Sequence, residues 1–256
     1  MAGTESRAAR RSPCRGAARV RVLQAIWSAK TVSLVGGMFS VAVMLMTVLS
    51  GQGFAMVTEV HRGGEKAEDV KHIRIVYTGG ISTPGMTDLL STLDKINLTY
   101  TNAQGIDLYL NSGGGDMDSG YMGYNAIRGS RIPVTTVNAA MVGSAASLLF
   151  CAGQSRQAFA ESWFILHPAA ATVSGEMKPD AVNRLSVLLS HYNGVFSSVY
   201  RVCSHLNDQE IKDMLSTEYL RKDWSAQQAQ EAGFITDIVR QTAQADAVWF
   251  IQPDKK

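Results

Sequence analysis

Short apolar runs alternate with segments of helical spacing along the chain between residues 72 and 239. The apolar runs are rich in Ile and Val and are typical of buried strands, whereas apolar residues at every third or fourth position are typical of amphipathic helices. When the two patterns alternate, helices connect strands that lie parallel in one sheet. The chain is therefore predicted to form an α/β domain with a largely parallel sheet, and 256 residues suffice for one sizeable core.

The predicted elements divide the chain into five parts. These are a basic segment at residues 1–30, an apolar segment at 31–55, a polar linker at 56–70, the α/β domain at 71–245 and a tail at 246–256. Strands are predicted at residues 72–77, 105–110, 132–137, 157–160, 163–166 and 234–239. Helices are predicted at residues 86–95, 117–128, 144–152, 180–204 and 225–232.

Charge is unevenly distributed. Seven basic residues and one acidic residue precede residue 31, and residues 31–58 carry no charge. Since the formal net charge of the whole chain is only +2, the remainder is mildly acidic. A domain of this charge gives no reason to expect nucleic acid as a partner.

The apolar segment is most apolar between residues 32 and 49, about the length of one membrane-spanning helix. Because basic residues precede it, the domain is expected on the extracytoplasmic side, in the periplasm or anchored at its membrane. An uncleaved signal anchor and a signal peptide cleaved after Ala55 are both compatible with this pattern. The long leading segment and the long apolar run favour the anchor slightly.

Residues 141–147, MVGSAAS, join a predicted strand to a predicted helix. Ser144 at this junction lies beside the unpaired N–H groups of the first helical turn, which can stabilise an oxyanion. Ser144 is therefore a candidate nucleophile, although helix capping is the commoner role of a serine at such a position. His167 directly follows the predicted strand at 163–166, and a serine and a histidine at the ends of adjacent strands can meet.

A glycine-rich turn, NSGGG at residues 111–115, follows the predicted strand at 105–110. Its backbone N–H groups are accessible because glycine has no side chain. By itself such a turn is more often only a tight connection.

Taken in order, these segments resemble the proteolytic subunit of Clp protease, a serine peptidase of the ClpP/crotonase superfamily. In that family a strand ends in Asn-Ser-Pro-Gly-Gly, and the catalytic serine and histidine follow later in the chain. The matching segments are LYLNSGGG at 108–115, AMVGSA at 140–145 and FILHP at 164–168, with a weaker resemblance from residue 72 to residue 240.

The resemblance implies a ClpP/crotonase-like fold of repeated β-β-α units with a largely parallel sheet, here preceded by one N-terminal hydrophobic helix. It implies Ser144 as the nucleophile, His167 as the general base, and the N–H groups of Gly115 and Ala145 as the oxyanion hole. It also implies a homo-oligomer, since the family's counterpart of the helix at 180–204 joins rings of subunits. This chemistry needs no cofactor.

The orienting carboxylate of the catalytic triad is where the chain departs most from the family. Arg221 occupies the position of the family's aspartate, Asp223 is the nearest carboxylate, and Glu218 is the alternative. Asp223 is also explained as an exposed acid paired with Arg221 or Lys222. In addition, Gly113 replaces the proline of the family's glycine turn and permits a more flexible loop.

The expected location outside the cytoplasm limits which partners and substrates the domain can have. A domain outside the cytoplasm has no ATP, so an ATP-driven unfoldase is not an expected partner. The predicted activity is hydrolysis of peptides or unfolded chains by a Ser-His-based triad.

Three other functions compete with this prediction. The domain is alternatively a non-catalytic assembly or binding module with an incomplete triad. A dyad of Ser144 and Lys178 and a CoA-ester enzyme of the wider superfamily are weaker possibilities.

The chain has three cysteines, Cys14, Cys151 and Cys203. A bond between Cys151 and Cys203 is possible outside the cytosol, because disulfides persist in oxidising compartments. A buried small apolar residue is the competing interpretation of Cys151.

Overall fold

The structure, a computed structural model, describes residues 56–61 and 66–252. The basic segment and the apolar segment, with the predicted N-terminal hydrophobic helix, lie outside these residues. In the part of the chain that the structure describes, no helix combines the length and apolar character needed to cross a membrane.

Nine strands form one sheet within the described residues. They are β1 (Met56–His61), β2 (His72–Thr78), β3 (Gly105–Ser112), β4 (Val134–Gly143), β5 (Ser155–Phe159), β6 (Trp163–Leu166), β7 (Lys222–Ser225), β8 (Asp237–Val239) and β9 (Ala247–Gln252). The main order is β1-β9-β2-β3-β4-β5-β8, while β6 pairs with β4 and β7. The β1–β9 and β6–β7 pairs are antiparallel and the other strand pairs are parallel.

Helices connect most of the parallel strands. They are α1 (Thr83–Thr99), α2 (Met117–Arg128), α3 (Ala146–Cys151), α4 (Pro179–Cys203), α5 (Asp208–Met214) and α6 (Ala226–Glu231), and a 3₁₀ turn spans Glu218–Leu220. This arrangement confirms the predicted α/β class with a largely parallel sheet. The periodicity of the sequence also located α2 and β6 at the residues where the structure has them.

Two of the boundaries predicted between the parts of the chain, those of the linker and of the tail, are wrong. Part of the predicted tail forms β9, which lies between β1 and β2 and buries Trp249 and Ile251. Part of the predicted linker forms β1, which pairs with β9 along its whole length. Both strands are short and lie at the ends of the domain, so their pairing depends on partners far away in sequence rather than on a strong local pattern.

An aromatic cluster supports the elements around Ser144 and His167. The Phe150 ring of α3 lies 5.0 Å from the Phe164 ring of β6, and the Phe234 ring lies 5.5 Å from Phe150 and 5.4 Å from Phe164. Aromatic pairs at such separations stabilise a core beyond the area that they bury. The packing therefore fixes α3 relative to β6.

Helix α4 differs in burial between its two halves. Its buried residues, Phe196, Val199, Tyr200 and Cys203, all lie in the C-terminal half. The sulfur atoms of Cys151 and Cys203 are bonded, and the two Cα atoms lie 5.5 Å apart. The disulfide considered from the sequence is thus present, and it joins the end of α3 to the end of α4.

Candidate active site

Ser144 occupies a strained turn between β4 and α3. Its φ of 49° is the only positive φ among the non-glycine residues that the structure describes. Such a conformation costs of order 1–3 kcal/mol and persists only where surrounding structure enforces it. Here the Ser144 N–H donates to the Ile165 carbonyl at 2.9 Å, and the Ser144 carbonyl accepts from the Ser147 N–H at 2.9 Å.

Helix capping does not explain Ser144. The N-cap of α3 is Ala145, and no side-chain hydrogen bond caps this helix. Within residues 56–61 and 66–252, the Ser144 hydroxyl makes no hydrogen bond, whereas the nearby Ser147 hydroxyl donates to the Ser144 carbonyl. The Ser144 hydroxyl is therefore available for chemistry.

The glycine turn packs directly against Ser144. A Cβ atom at Gly114 would lie 2.5 Å from the Ser144 Cβ and 3.0 Å from the Ala145 nitrogen. Gly114 also has a φ of 102°, which side chains disfavour. Only glycine permits this approach of the turn to the serine.

Ile81 holds the glycine turn from the other side. Its N–H donates to the Gly114 carbonyl at 2.8 Å, and its carbonyl accepts from the Asp116 N–H at 2.9 Å. The Gly114 N–H donates to the Ser112 hydroxyl at 3.2 Å. The sequence reasoning missed this bridge, because Ile81 is an isolated pairing residue outside any strand.

The two predicted oxyanion-hole donors remain available. The Ile81 bonds involve the residues on either side of Gly115, so they leave the Gly115 N–H unused. In the described part of the chain neither that N–H nor the N–H of Ala145 has a hydrogen-bond partner. Buried N–H groups without partners are uncommon in proteins, and Ala145 is fully buried. Ala145 directly follows Ser144, and Gly115 directly follows the glycine that packs against Ser144, so both donors come from segments that adjoin the serine, as an oxyanion hole requires.

Strand pairing brings His167 to the same edge of the sheet as Ser144. β4 and β6 are parallel, with Gly143 opposite Ile165. Ser144 and His167 follow these residues closely, and the carboxyl ends of parallel strands meet at one edge. The structure thus places Ser144 and His167 at one edge of the sheet, and the glycine turn packs against Ser144 there.

Among the residues that the structure describes, the carboxylate within ion-pair distance of His167 is that of Glu218. The Glu218 Oε2 lies 3.4 Å from the His167 Nδ1, within ion-pair distance. The His167 Nδ1 is itself buried and has no hydrogen bond, so the contact is electrostatic and lacks hydrogen-bond geometry. The Glu218 side chain is 58% exposed, which weakens the interaction through solvent screening.

Asp223 has a different partner. Its Oδ2 accepts a hydrogen bond from Arg221 Nε at 2.9 Å, and Arg221 Nη1 donates to Glu218 Oε1 at 2.8 Å. Both bonds raise the pKa of the Arg221 guanidinium, and the bond to Glu218 contributes most. Asp223 therefore pairs with Arg221, which is one of the two roles that the sequence allowed for it. The geometry around His167 instead favours Glu218 as the orienting carboxylate.

Lys178 lies at the start of α4 as its N-cap, and its side chain is exposed. Among the described residues its ammonium makes no hydrogen bond or ion pair. A serine–lysine dyad therefore finds no support in the geometry.

Known proteins of the Clp protease family are similar to this chain. The Clp protease family model matches residues 66–242. A curated relative, the ATP-dependent Clp protease proteolytic subunit 1 of Salinibacter ruber, is 24% identical over 196 residues, which are 72% of this chain and 80% of the relative.

A solved structure of a ClpP1 mutant from Listeria monocytogenes has the same fold. It has a TM-score of 0.53 and 16% identity to this chain, and the match covers 66% of this chain and 91% of that one. The matched family model spans well over half of the sequence. The strained serine, the glycine turn and the histidine therefore occur in a chain that belongs to the Clp protease family of serine proteases.

Proposed function

We propose that this protein hydrolyses peptide bonds with Ser144 as the nucleophile and His167 as the general base. The observation that carries the proposal is the position of Ser144, which is held at a φ of 49° beside two N–H groups that have no partner among the described residues. Glu218 orients the imidazole and stabilises its protonated form, in place of Asp223.

The reaction proceeds by acyl transfer. His167 takes the proton of the Ser144 hydroxyl as the oxygen attacks the peptide carbonyl, and the Gly115 and Ala145 N–H groups bind the resulting oxyanion. The protonated imidazole then gives its proton to the leaving amine, and the C–N bond breaks. Water, deprotonated by His167, hydrolyses the acyl-enzyme and restores the serine.

A groove beside the site suits a peptide substrate. It has a volume of about 620 Å³ and lies between the segment after His167, helix α4 and the 3₁₀ turn. Its walls combine apolar residues, such as Leu185, Leu189 and Leu215, with the Glu218 carboxylate. An extended chain with apolar side chains fits such a lining better than a folded surface does.

The proposed location is outside the cytoplasm, with peptides or unfolded chains as substrates and no ATPase partner. The basic and apolar segments at residues 1–55 support this location. The Cys151–Cys203 bond supports it independently, because disulfides persist mainly in oxidising compartments.

The proposed assembly is a homo-oligomer. The N-terminal half of α4 exposes Val182, Val187 and Leu188. Apolar residues close together on an exposed helix favour contact with another protein surface.

A fluorophosphonate probe tests the proposed chemistry on the purified full-length protein. The wild type should be labelled, Ser144→Ala should not, and His167→Ala should react at least about a hundredfold more slowly because the general base is lost. Ser91→Ala, an exposed serine on α1, is the matched control and should label as the wild type does. Absence of Ser144-dependent labelling at every pH would overturn the proposal.

A non-catalytic assembly module is the second candidate. Within the described residues no hydrogen bond joins the Ser144 hydroxyl to His167, and His167 Nδ1 has no hydrogen-bond partner, which favours this alternative. Unreactive Ser144 in a correctly folded and assembled protein would select this alternative.

Fractionation of cells that express the protein tests its location. The domain should appear in the periplasmic or membrane fraction, and N-terminal sequencing should distinguish an anchored chain from one that begins at Met56. A chain with its original N-terminus in the cytosolic fraction would contradict the proposed location.

A further inference from the structure

A chain of buried hydroxyl groups runs from helix α4 to the backbone of Ser144. The Tyr200 hydroxyl lies 2.7 Å from the Ser147 Oγ, and the Ser147 Oγ lies 2.6 Å from the Ser144 carbonyl oxygen. Both side chains are fully buried. Neither residue was singled out by the sequence as part of the site.

The direction of these hydrogen bonds follows from the number of protons. A serine hydroxyl donates only one proton, and Ser147 uses it on the Ser144 carbonyl, which can only accept. The Tyr200 hydroxyl must therefore donate to the Ser147 Oγ. Burial raises the pKa of Tyr200, while the bond to Ser147 acts in the opposite direction, so the phenol keeps its proton at neutral pH.

The Ser144 carbonyl and the Ala145 N–H belong to the same peptide unit. Because a trans peptide is planar, its C=O and N–H point in opposite directions, and fixing one fixes the other. The Ser147 N–H and the Ser147 hydroxyl both hold the Ser144 carbonyl. They thereby aim the Ala145 N–H away from the helix, towards the proposed oxyanion.

We infer that Tyr200 is a positioning residue of the oxyanion hole, which acts through Ser147 on the peptide unit between Ser144 and Ala145. Without the Tyr200 proton, the Ser147 hydroxyl loses the donor that fixes its rotamer, and the Ser144 carbonyl is held less firmly. This inference rests on the proposed peptidase function for its catalytic consequence.

The disulfide reinforces the same contact between the two helices. Cys151 lies one helical turn after Ser147 on α3, and Cys203 lies one turn after Tyr200 on α4. Residues separated by three or four positions share a helix face. The hydroxyl pair and the disulfide are therefore successive links between α3 and α4.

The test compares Tyr200→Phe, Ser147→Ala and the double variant with the wild type. Tyr192→Phe is the matched control, because Tyr192 lies on α4 as Tyr200 does, but its hydroxyl donates to Asp118 of α2, outside the chain of hydroxyl groups. Peptide hydrolysis is measured per fluorophosphonate-titrated Ser144, and hydrogen exchange is measured for the backbone amides of residues 144–150.

In Tyr200→Phe, kcat should fall about tenfold or more while KM stays within about twofold, since a misaimed donor weakens transition-state binding only. Amide exchange in residues 144–150 should become faster. The double variant should lose no more activity than Ser147→Ala, because both substitutions break the same link.

An unchanged kcat in Tyr200→Phe, unchanged exchange, or additive losses in the double variant would each overturn the inference. If the wild type neither hydrolyses peptides nor reacts with the probe, the proposed function fails. The exchange comparison then still decides whether Tyr200 orders the Ser144 backbone.

Discussion

Gly114 and Ser144 approach each other at a distance that leaves no room for a second side chain. The Ser144 backbone is strained, and the hydrogen bonds of Ile165 and Ser147 hold it in place. At the scale of single residues, the site therefore depends on contacts that one methyl group added at Gly114, or the loss of the Glu218 charge, can disturb.

Gly114→Ala should abolish Ser144-dependent labelling, because the added Cβ would lie 2.5 Å from the Ser144 Cβ. Gly113→Ala is the matched control in the same turn. Its Cβ would meet only the end of the flexible Met141 side chain at 3.2 Å, so labelling should stay within a few-fold of the wild type, about the effect of a small local shift. Equal labelling of both variants would show that the turn does not need the observed approach.

Glu218→Gln should lower kcat/KM about tenfold, since the protonated imidazole loses a negative charge 3.4 Å away. The loss should be smaller than for a buried triad aspartate, because solvent screens Glu218. Asp223→Asn is the control and should have the smaller effect. A larger loss in Asp223→Asn, measured in the same peptide assay, would restore Asp223 as the orienting residue.

Two strands and two helices position the site. Parallel pairing of β4 with β6 places Ser144 and His167 at one edge, and α3 is joined to α4 through Ser147, Tyr200 and the disulfide. The disulfide links residues 52 positions apart. At the scale of elements, we therefore expect the stability of the α3–α4 contact to affect the candidate nucleophile Ser144.

Loss of the disulfide should reduce the free energy of unfolding. Replacing both Cys151 and Cys203 with Ala should lower it by about 2–5 kcal/mol, because the unfolded chain gains conformational freedom. Urea unfolding with and without a thiol reductant measures the effect. The reductant should destabilise the wild type and leave the variant unchanged, and equal stability of all samples would contradict the prediction.

The C-terminal strand links the two ends of the described chain. β9 lies between β1 and β2, so the last described residues complete the sheet near its first strand. On another part of the molecule, the N-terminal half of α4 leaves apolar residues exposed. At the scale of the whole molecule, β9 pairs on both sides with strands of the described chain, whereas this half-helix is suited to contact with a partner.

Val187→Glu should reduce the size of the proposed homo-oligomer, because it places a charge on a side chain that is 71% exposed in α4. Leu98→Glu is the control, since Leu98 is 81% exposed on α1, away from α4 in sequence. Light scattering coupled to size-exclusion chromatography measures both masses. A monomeric wild type, or a Val187→Glu protein of unchanged mass, would contradict the proposed interface.

The periodicity of the sequence was sufficient to predict those helices and strands whose type depends mainly on their own residues. The spacing of apolar residues predicted α2 and β6 at their observed bounds, and the serine, histidine and glycine turn were identified from their order along the chain. The helix predicted at residues 225–232 is also present as α6, and the Ser225 hydroxyl caps it by accepting from the Gln228 N–H within local reach. These features depend on short-range geometry, which the sequence encodes directly.

Only the tertiary structure decided the features that depend on distant residues. The short strand β9 is recognisable through its pairing with β1 and β2, and the carboxylate at His167 is determined by the packing that brings Glu218 of the 3₁₀ turn to 3.4 Å from the imidazole. The Tyr200–Ser147 link joins two helices that are far apart in sequence. Sequence alone therefore predicted the candidate reacting groups of this chain, whereas long-range packing selected the side chains that hold them in place.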